Sequence, residues 1–276
     1  KSAFVFFKSK CKILGTKYKS LYQNSPWYKK IVIVFCSLIL LFSLYLFMVD
    51  INFLWLFGKS PSMSSINNPN QSVASEIYSA DGKLISKYFR KNRTPVEYEE
   101  ISPILIKTLI STEDERFYEH FGVDLKGVFA AVKDMAHGNA RGASTITQQL
   151  VKNLFKVRSQ YSRGLIGNIP GFKLLIMKSK EWITAVKIEI FYSKKEILTM
   201  YLNTVDFGSN AYGIKTACKT YFNTTPRNLT IEQAATLVGL LKAITTYNPK
   251  IKKKNSLKRR NVVLENLLTH RLISKA

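Results

Sequence analysis

The longest feature of the hydropathy pattern is an unbroken apolar run, "IVIVFCSLILLFSLYLFMV", Ile31 to Val49, which carries no charge. At about 1.5 Å of rise per residue a helix of that length spans roughly 28 Å, close to the hydrocarbon thickness of a bilayer. Trp27 and Tyr28 before it and Trp55 after it suit the two interfaces. A cleaved signal peptide would have a shorter apolar core ending in small residues, whereas this run continues into "FLWLFG". The pattern predicts an uncleaved transmembrane helix over 31–49. From Gly58 to Ser75 the chain turns polar and rich in Ser, Asn and Pro, which predicts a linker over 50–75. "SEIYSADGKLISKYF" then alternates around Asp81-Gly82 and predicts a β-hairpin.

Beyond Ser102 the apolar spacing is helical. Ser102-Pro103 opens "PILIKTLISTEDERFYEH", and Asp124 can cap a helix whose Leu125, Val128, Phe129 and Val132 share one apolar face. Thr145 with Gln148, Ser193 with Glu196 and Thr230 with Gln233 fit the S/T-x-x-E/Q capping box. No internal repeat appears. The expected fold class is mainly α, one domain over 76–276 with a small β-hairpin element at its start, plus one N-terminal transmembrane helix.

Charge changes the picture in two ways. The 276 residues carry a formal net charge of +24, with 46% hydrophobic content that supports a packed core. Such an excess fits an anionic membrane surface or phosphate-bearing substrates; nucleic acid is the weakest partner class, because no zinc-finger spacing, basic-region heptad or RNP-like aromatic run appears. Residues 1–30 hold eight lysines and no acid. They read as a cytoplasmic basic tail, with the rest of the chain outside the cytoplasm. Cys11, Cys36 and Cys218 are far apart, as are His120, His137 and His270, so neither a disulfide framework nor a metal cluster is indicated.

Against this basic background "STEDERFYEHFGVD" gathers Glu113, Asp114, Glu115 and Glu119 among aromatic residues. On a continuous helix Glu113, Phe117 and His120 would share a face, and a ring against Glu113 would raise its proton affinity towards that of a general acid or base. Asp114 would point elsewhere and hold backbone or a base. A helix surface ending in ion pairs with Arg116 explains the spacing equally well. In "RGASTITQQLVKN" the hydroxyls of Ser144 and Thr145 and the free N–H groups of a helix start make an anion-friendly site, with Gln148, Gln149 and Lys152 a turn further on. Lys178 and Glu181 share a face in "KSKE", which a plain surface ion pair also explains.

"EDERFYEHFGVD", "GASTITQQLVKN", "KSKEWITAVKIE" and "KKEILTMYLNTVDFGSNAYGI" occur in that order. Together they resemble the successive motifs of the peptidoglycan glycosyltransferases of glycosyltransferase family 51, over roughly Glu76 to Leu268. "KEWITAVKIE", "YLNTVDFGSNAYGIKTA" and "KRRNVVLENLL" are similar more narrowly to class A penicillin-binding proteins, in which a transpeptidase domain follows. The chain starts at Lys1, and the ordered SxxK, SxN and KTG series of a transpeptidase does not follow the matched motifs, so a part of a longer protein is expected rather than a monofunctional relative.

The resemblance implies a lysozyme-like fold with a cleft between a head lobe and a membrane-proximal lobe over 155–173. It implies the bacterial inner membrane as location, with the catalytic domain on the extracytoplasmic side. The implied substrates are lipid II and the growing lipid-linked glycan, with cell-wall synthesis proteins as candidate partners. Glu113 matches the catalytic base, and Glu181 the second glutamate that orients the acceptor side or assists a metal. Ser144, Thr145, Gln148 and Gln149 match donor-cleft positions. Lys152, Lys178 and Lys180 are candidate cations for the leaving diphosphate. Asp114, Phe117, His120 and Asn153 lie within the same motifs as substrate-binding candidates. Met177 departs from the pattern, standing where an arginine is usual, with Arg158 or Arg163 as candidate substitutes. Some relatives use Mg²⁺ or Mn²⁺; no metal site is specified by this sequence. The competing expectation is a lysozyme-like peptidoglycan hydrolase, which needs a second carboxylate as proton donor, whereas a diphosphate leaves as a stable anion that cations can steady. A domain decayed to a scaffold has only Met177 in its favour.

Overall fold

The computed structural model describes residues 2–69, 75–81, 84–88, 93–138, 142–157 and 164–274. Helix α1, Ser2–Gln23, occupies most of the basic tail and is followed by α2, Trp27–Asp50. Pro26 separates them, because it lacks the N–H that would continue the first ladder and takes an extended conformation as the N-cap of the second. Among the described residues α2 alone is long and apolar enough to cross a membrane, and its apolar window is unburied.

The described part of the expected linker folds against the domain. The short helix α3, Met63–Asn67, inserts Ile66 into the main core, where the Tyr192 hydroxyl donates to the carbonyls of Ile66 and Asn67 at 3.0 and 2.8 Å. Phe57 packs with Val49 and Ile176 in a second, smaller cluster. Polar composition concealed these two anchors. Strand β1, Ser75–Tyr78, pairs antiparallel with β2, Leu84–Tyr88, with a register shift after Ile77. Gly82 of the expected turn lies outside the described residues.

The remaining elements are helical: α4, Pro103–Glu113; α5, Leu125–Ala136; α6, Ile146–Phe155; α7, Phe172–Phe191; α8, Lys194–Thr204; α9, Ile214–Phe222; α10, Ile231–Leu241; and α11, Lys253–Thr269. The capping reasoning holds where local chemistry suffices. Ser193 and Thr230 each form the full reciprocal box with Glu196 and Gln233, and Pro103 occupies the first turn of α4. Helix α4 packs on α10 and α11, while α6 packs on α7 and α8. Leu105, Leu109, Leu150, Tyr201 and Leu237 are buried where these groups meet. Asn203 clamps the incoming chain as a neighbouring strand would, accepting from the Val96 N–H at 3.0 Å and donating to its carbonyl at 2.8 Å.

One expected face is turned the other way. Leu125, Phe129 and Val132 of α5 are exposed, together with Met135. Apolar periodicity defines a face but does not say what covers it.

The apolar helix α2 docks on α7. The Tyr45 hydroxyl lies 3.0 Å from Ser179 Oγ, Phe42 meets Trp182 edge-on, and Lys187 Nζ pairs with Asp50 at 2.5 Å. These contacts alternate along α7 with Lys178 and Glu181. The membrane-length helix therefore sets the position of the helix that carries those two charges.

Candidate active site

Glu113 is the last residue of α4, and Asp114 leaves the helix at φ −160°, ψ 73°. The two neighbouring carboxylates go separate ways. Asp114 is buried and accepts the N–H of Ile146, the first residue of α6, at 2.8 Å, and Nε2 of His120 at 2.9 Å. It ties the end of α4 to the start of α6. Phe117 is fully buried, edge-on to Tyr118 and His120, with the Lys194 ammonium 4.4 Å from its ring centre. The common helical face expected for Glu113, Phe117 and His120 is thus overturned, because Asp114 is drawn off to α6 and the helix stops. Phe117 belongs to the main core, whereas His120 is half-buried and lines a separate small cleft with Arg116, Glu119 and Asp124.

Glu113 instead faces α6. Its Oε2 accepts from Gln149 Nε2 at 2.8 Å, and Gln149 Oε1 accepts from the Tyr201 hydroxyl at 3.0 Å. Tyr201 is fully buried; burial, reinforced by the Glu113 charge, holds its phenol well above the usual range, so it remains an O–H donor. An ionised carboxylate can only accept, so the Gln149 NH₂ must turn to Glu113 and the amide oxygen to Tyr201. Glu113 Oε1 has no hydrogen-bond partner among the described residues. The side chain lines a pocket of about 220 Å³ together with Ser111, Asp114, Ser144 and Thr145.

Tyr201 and Gln149 are positioning residues on this reading. Tyr201→Phe is expected to lower kcat about tenfold, the equivalent of ~1.4 kcal/mol, with KM unchanged. Gln149→Ala should cost about as much, and the double variant no more than either alone. Additive losses in that cycle would show that the two side chains act separately.

Arg116 is the cation among the pocket's own lining residues, and α7 brings a second one to its Ser144 wall. Lys178 Nζ donates to Ser144 Oγ at 2.9 Å and to Gln148 Oε1 at 3.3 Å, and pairs with Glu181 at 2.9 Å. Glu181 is buried, while Lys178 keeps about a third of its side chain exposed. An ammonium so held is fixed in place and still reachable. Glu181 thus meets Lys178 rather than opening on the pocket.

Several expectations are corrected here. The start of α6 is already partly taken, since Asp114 accepts the Ile146 N–H and the Thr145 hydroxyl oxygen accepts that of Gln148. The Gln148 side chain does not close a capping box either; its amide donates to the Gly122 carbonyl at 3.3 Å and its oxygen receives Lys178. Lys180 is fully buried with its ammonium on the Lys59 carbonyl at 2.8 Å, and desolvation lowers its pKa to about 8. It is a lysine of the fold and does not line the pocket. Met177 is buried in the main core, so the expected cation at that position is replaced by packing. Arg158 and Arg163 lie outside the described residues. Lys152 is exposed near the end of α6, and neither it nor Asn153 makes a side-chain bond to another described residue. No group of three His, Cys, Asp or Glu suited to a metal occurs among the described residues.

Spacing missed three supports of the site. Gly122, at φ +79°, brings its backbone so close to α7 that a Cβ would sit 2.8 Å from the Ala185 carbonyl carbon, and its own carbonyl accepts from Thr145 and Gln148. Glu189 accepts from Thr147 at 2.7 Å and from Lys194 at 2.8 Å. Arg116 binds Asp124 at 2.6 Å; burial alone would raise that carboxyl, but the Arg116 hydrogen bond and charge hold it below its usual range. A positive-φ glycine beside a charged motif was the one local signal available.

One carboxylate held by an amide lines this pocket, and a lysine held by a buried glutamate grips its Ser144 wall. The chain belongs to the transglycosylase family, whose model matches residues 81–268. The matched region is similar to a part of penicillin-binding protein 1A from several bacteria. Among its relatives, penicillin-binding protein 1A of Escherichia coli is 40% identical over 217 residues, covering 78% of this chain and 24% of the relative. Penicillin-binding protein 1A of Vibrio cholerae is 38% identical over 218 residues, covering 78% and 25%. The chain thus spans about a quarter of the length of these relatives. A solved structure of penicillin-binding protein 1A from Haemophilus influenzae aligns at 26% identity with a TM-score of 0.39, covering 74% of this chain and 19% of that one.

Proposed function

We propose that the chain is a membrane-anchored peptidoglycan glycosyltransferase that joins lipid II units into β-1,4 glycan, with Glu113 as general base. The observation that carries this reading is the Gln149-held Glu113, whose second oxygen has no partner among the described residues, on a pocket whose Ser144 wall is gripped by Lys178. Glu113 takes the proton of the acceptor sugar 4-hydroxyl as that oxygen attacks C1 of the donor muramoyl residue. The C1–O bond breaks with its electron pair on the undecaprenyl diphosphate, and the anomeric centre inverts. Lys178 and the exposed Lys152 steady the charge that gathers on the leaving oxygens, so no protonating acid is needed. Glu181 holds Lys178 in place. A divalent metal would enter only as a further counter-ion to the diphosphate.

On the same reading residues 1–30 lie in the cytoplasm, 31–49 cross the membrane and 76–276 form the catalytic domain outside. The exposed Leu165, Ile169, Phe172, Leu174 and Leu175, in and next to the expected 155–173 lobe, suit insertion at the lipid interface where an undecaprenyl chain must be handled. A hydrolase is less well served, because Asp124 is held as a carboxylate by Arg116 and Asp114 is bound to Ile146 and His120.

The deciding assay incubates the protein with labelled lipid II, in Mg²⁺, Mn²⁺ or chelator, and in parallel with intact sacculi. Glycan polymer and free undecaprenyl diphosphate are expected from the first and nothing soluble from the second. Muropeptides released from sacculi without any polymer from lipid II would reverse the assignment.

A further inference from the structure

Beside the Glu113 pocket, and sharing Ser111 and Glu115 with it, lies a larger cleft of about 930 Å³. Its floor is apolar, formed by Tyr98, Ile101, Ile106 and Ile110. Three permanent cations line it as well: Lys107, Lys195 and Arg227. The Lys107 side chain makes no bond to another described residue. Lys195 Nζ stands 5.4 Å from the Tyr98 ring centre, and among the described residues the Arg227 side chain bonds only to the Glu99 carbonyl, at 3.4 Å. Two carboxylates, Glu99 and Glu115, also line the cleft, and Glu115 faces His270 at 3.5 Å. The balance is positive, on a surface otherwise fit for methyl groups.

None of these cations has a part in the chemistry described above. The diphosphate-binding wall, Ser144 with Lys178, belongs to the other pocket. No lining residue comes from α2 or from residues 164–175, where the exposed apolar surface gathers, so a lipid tail is poorly placed to use the cleft.

We propose that the cleft binds the acidic peptide stem carried on the muramoyl sugar, an inference that rests on lipid II being the substrate. The stem is short, with alanine methyls for the Ile101, Ile106 and Ile110 floor and free carboxylates for Lys107, Lys195 and Arg227. Five extended residues reach about 17 Å, enough to pass from a sugar held at Glu113 over the shared Ser111 edge into the cleft. The site would let the enzyme register the peptide while it joins the sugars.

The test compares the wild-type chain with Lys107→Glu/Arg227→Glu on two substrates, lipid II with its full pentapeptide and the same lipid-linked disaccharide without peptide. The double variant is expected to lose about tenfold in kcat/KM on the first, through KM, and to match wild type on the second. Calorimetry with free muramoyl pentapeptide should show binding to wild type and none to the variant, with equal thermal melts. Equal losses on both substrates, no loss on either, or no binding of the free peptide would each overturn the proposal. Failure of wild type to polymerise either substrate counts against the glycosyltransferase reading instead, and the calorimetry still decides the cleft.

Discussion

Glu113→Gln is expected to leave the protein folded and able to bind lipid II but to stop glycan formation, with a loss of about two to four decades in rate. The amide is nearly isosteric, and its oxygen can still accept from Gln149, which stands 2.8 Å from Oε2. Asp114, Ile146 and His120, which hold the fold beneath, are untouched. Only the capacity to take a proton disappears. Polymerisation of labelled lipid II followed on gels, with binding of a diphosphate glycolipid measured in parallel, separates the two effects. A variant that polymerises at more than about a tenth of the wild-type rate would remove Glu113 from the base role.

The second large effect belongs to Lys178→Met. Its ammonium touches Ser144, Gln148 and Glu181 within 3.3 Å, and methionine keeps the length of the side chain without the charge. Loss of a positioned charge at a leaving group is expected to cost about two to three decades in kcat. It also leaves Glu181 buried without this cation, so stability should fall as well, by less than the several kcal/mol of a fully buried pair because Lys178 is partly exposed. Adding Glu181→Gln removes the carboxylate that Lys178 no longer faces. The double variant should regain most of the melting temperature and none of the activity. Recovery of activity along with stability would mean that Lys178 serves the fold and not the leaving group.

The capping residues of α8 and α10 could be read from four-residue windows, because a cap is satisfied by its own neighbours. The membrane-length helix was legible for the same reason, since length and apolarity are local. Among the motif residues read together from the sequence, Glu113 meets Gln149, Ser144 meets Lys178, and Glu113 and Ser144 line one pocket. The helix break after Glu113 was not legible. It depends on Asp114 choosing the Ile146 N–H, 32 residues away, over its own helix. Likewise a polar-looking linker contains Ile66, whose place in the core exists only once α7 and Tyr192 are beside it.

Lysines show the division most clearly. Lys152, Lys178 and Lys180 carry the same charge on the same stem, and nothing local separates them. By itself the sequence determined an apolar anchor, a helical domain, its capped ends and the set of charged residues available for chemistry, all of which depend on neighbours along the chain. Only tertiary structure decided that Lys178 reaches the pocket wall, that Lys180 is buried against the Lys59 carbonyl and that Lys152 stands in solvent. Burial and pairing are properties of surfaces that meet across the fold, and a charge acquires its role from what desolvates and faces it.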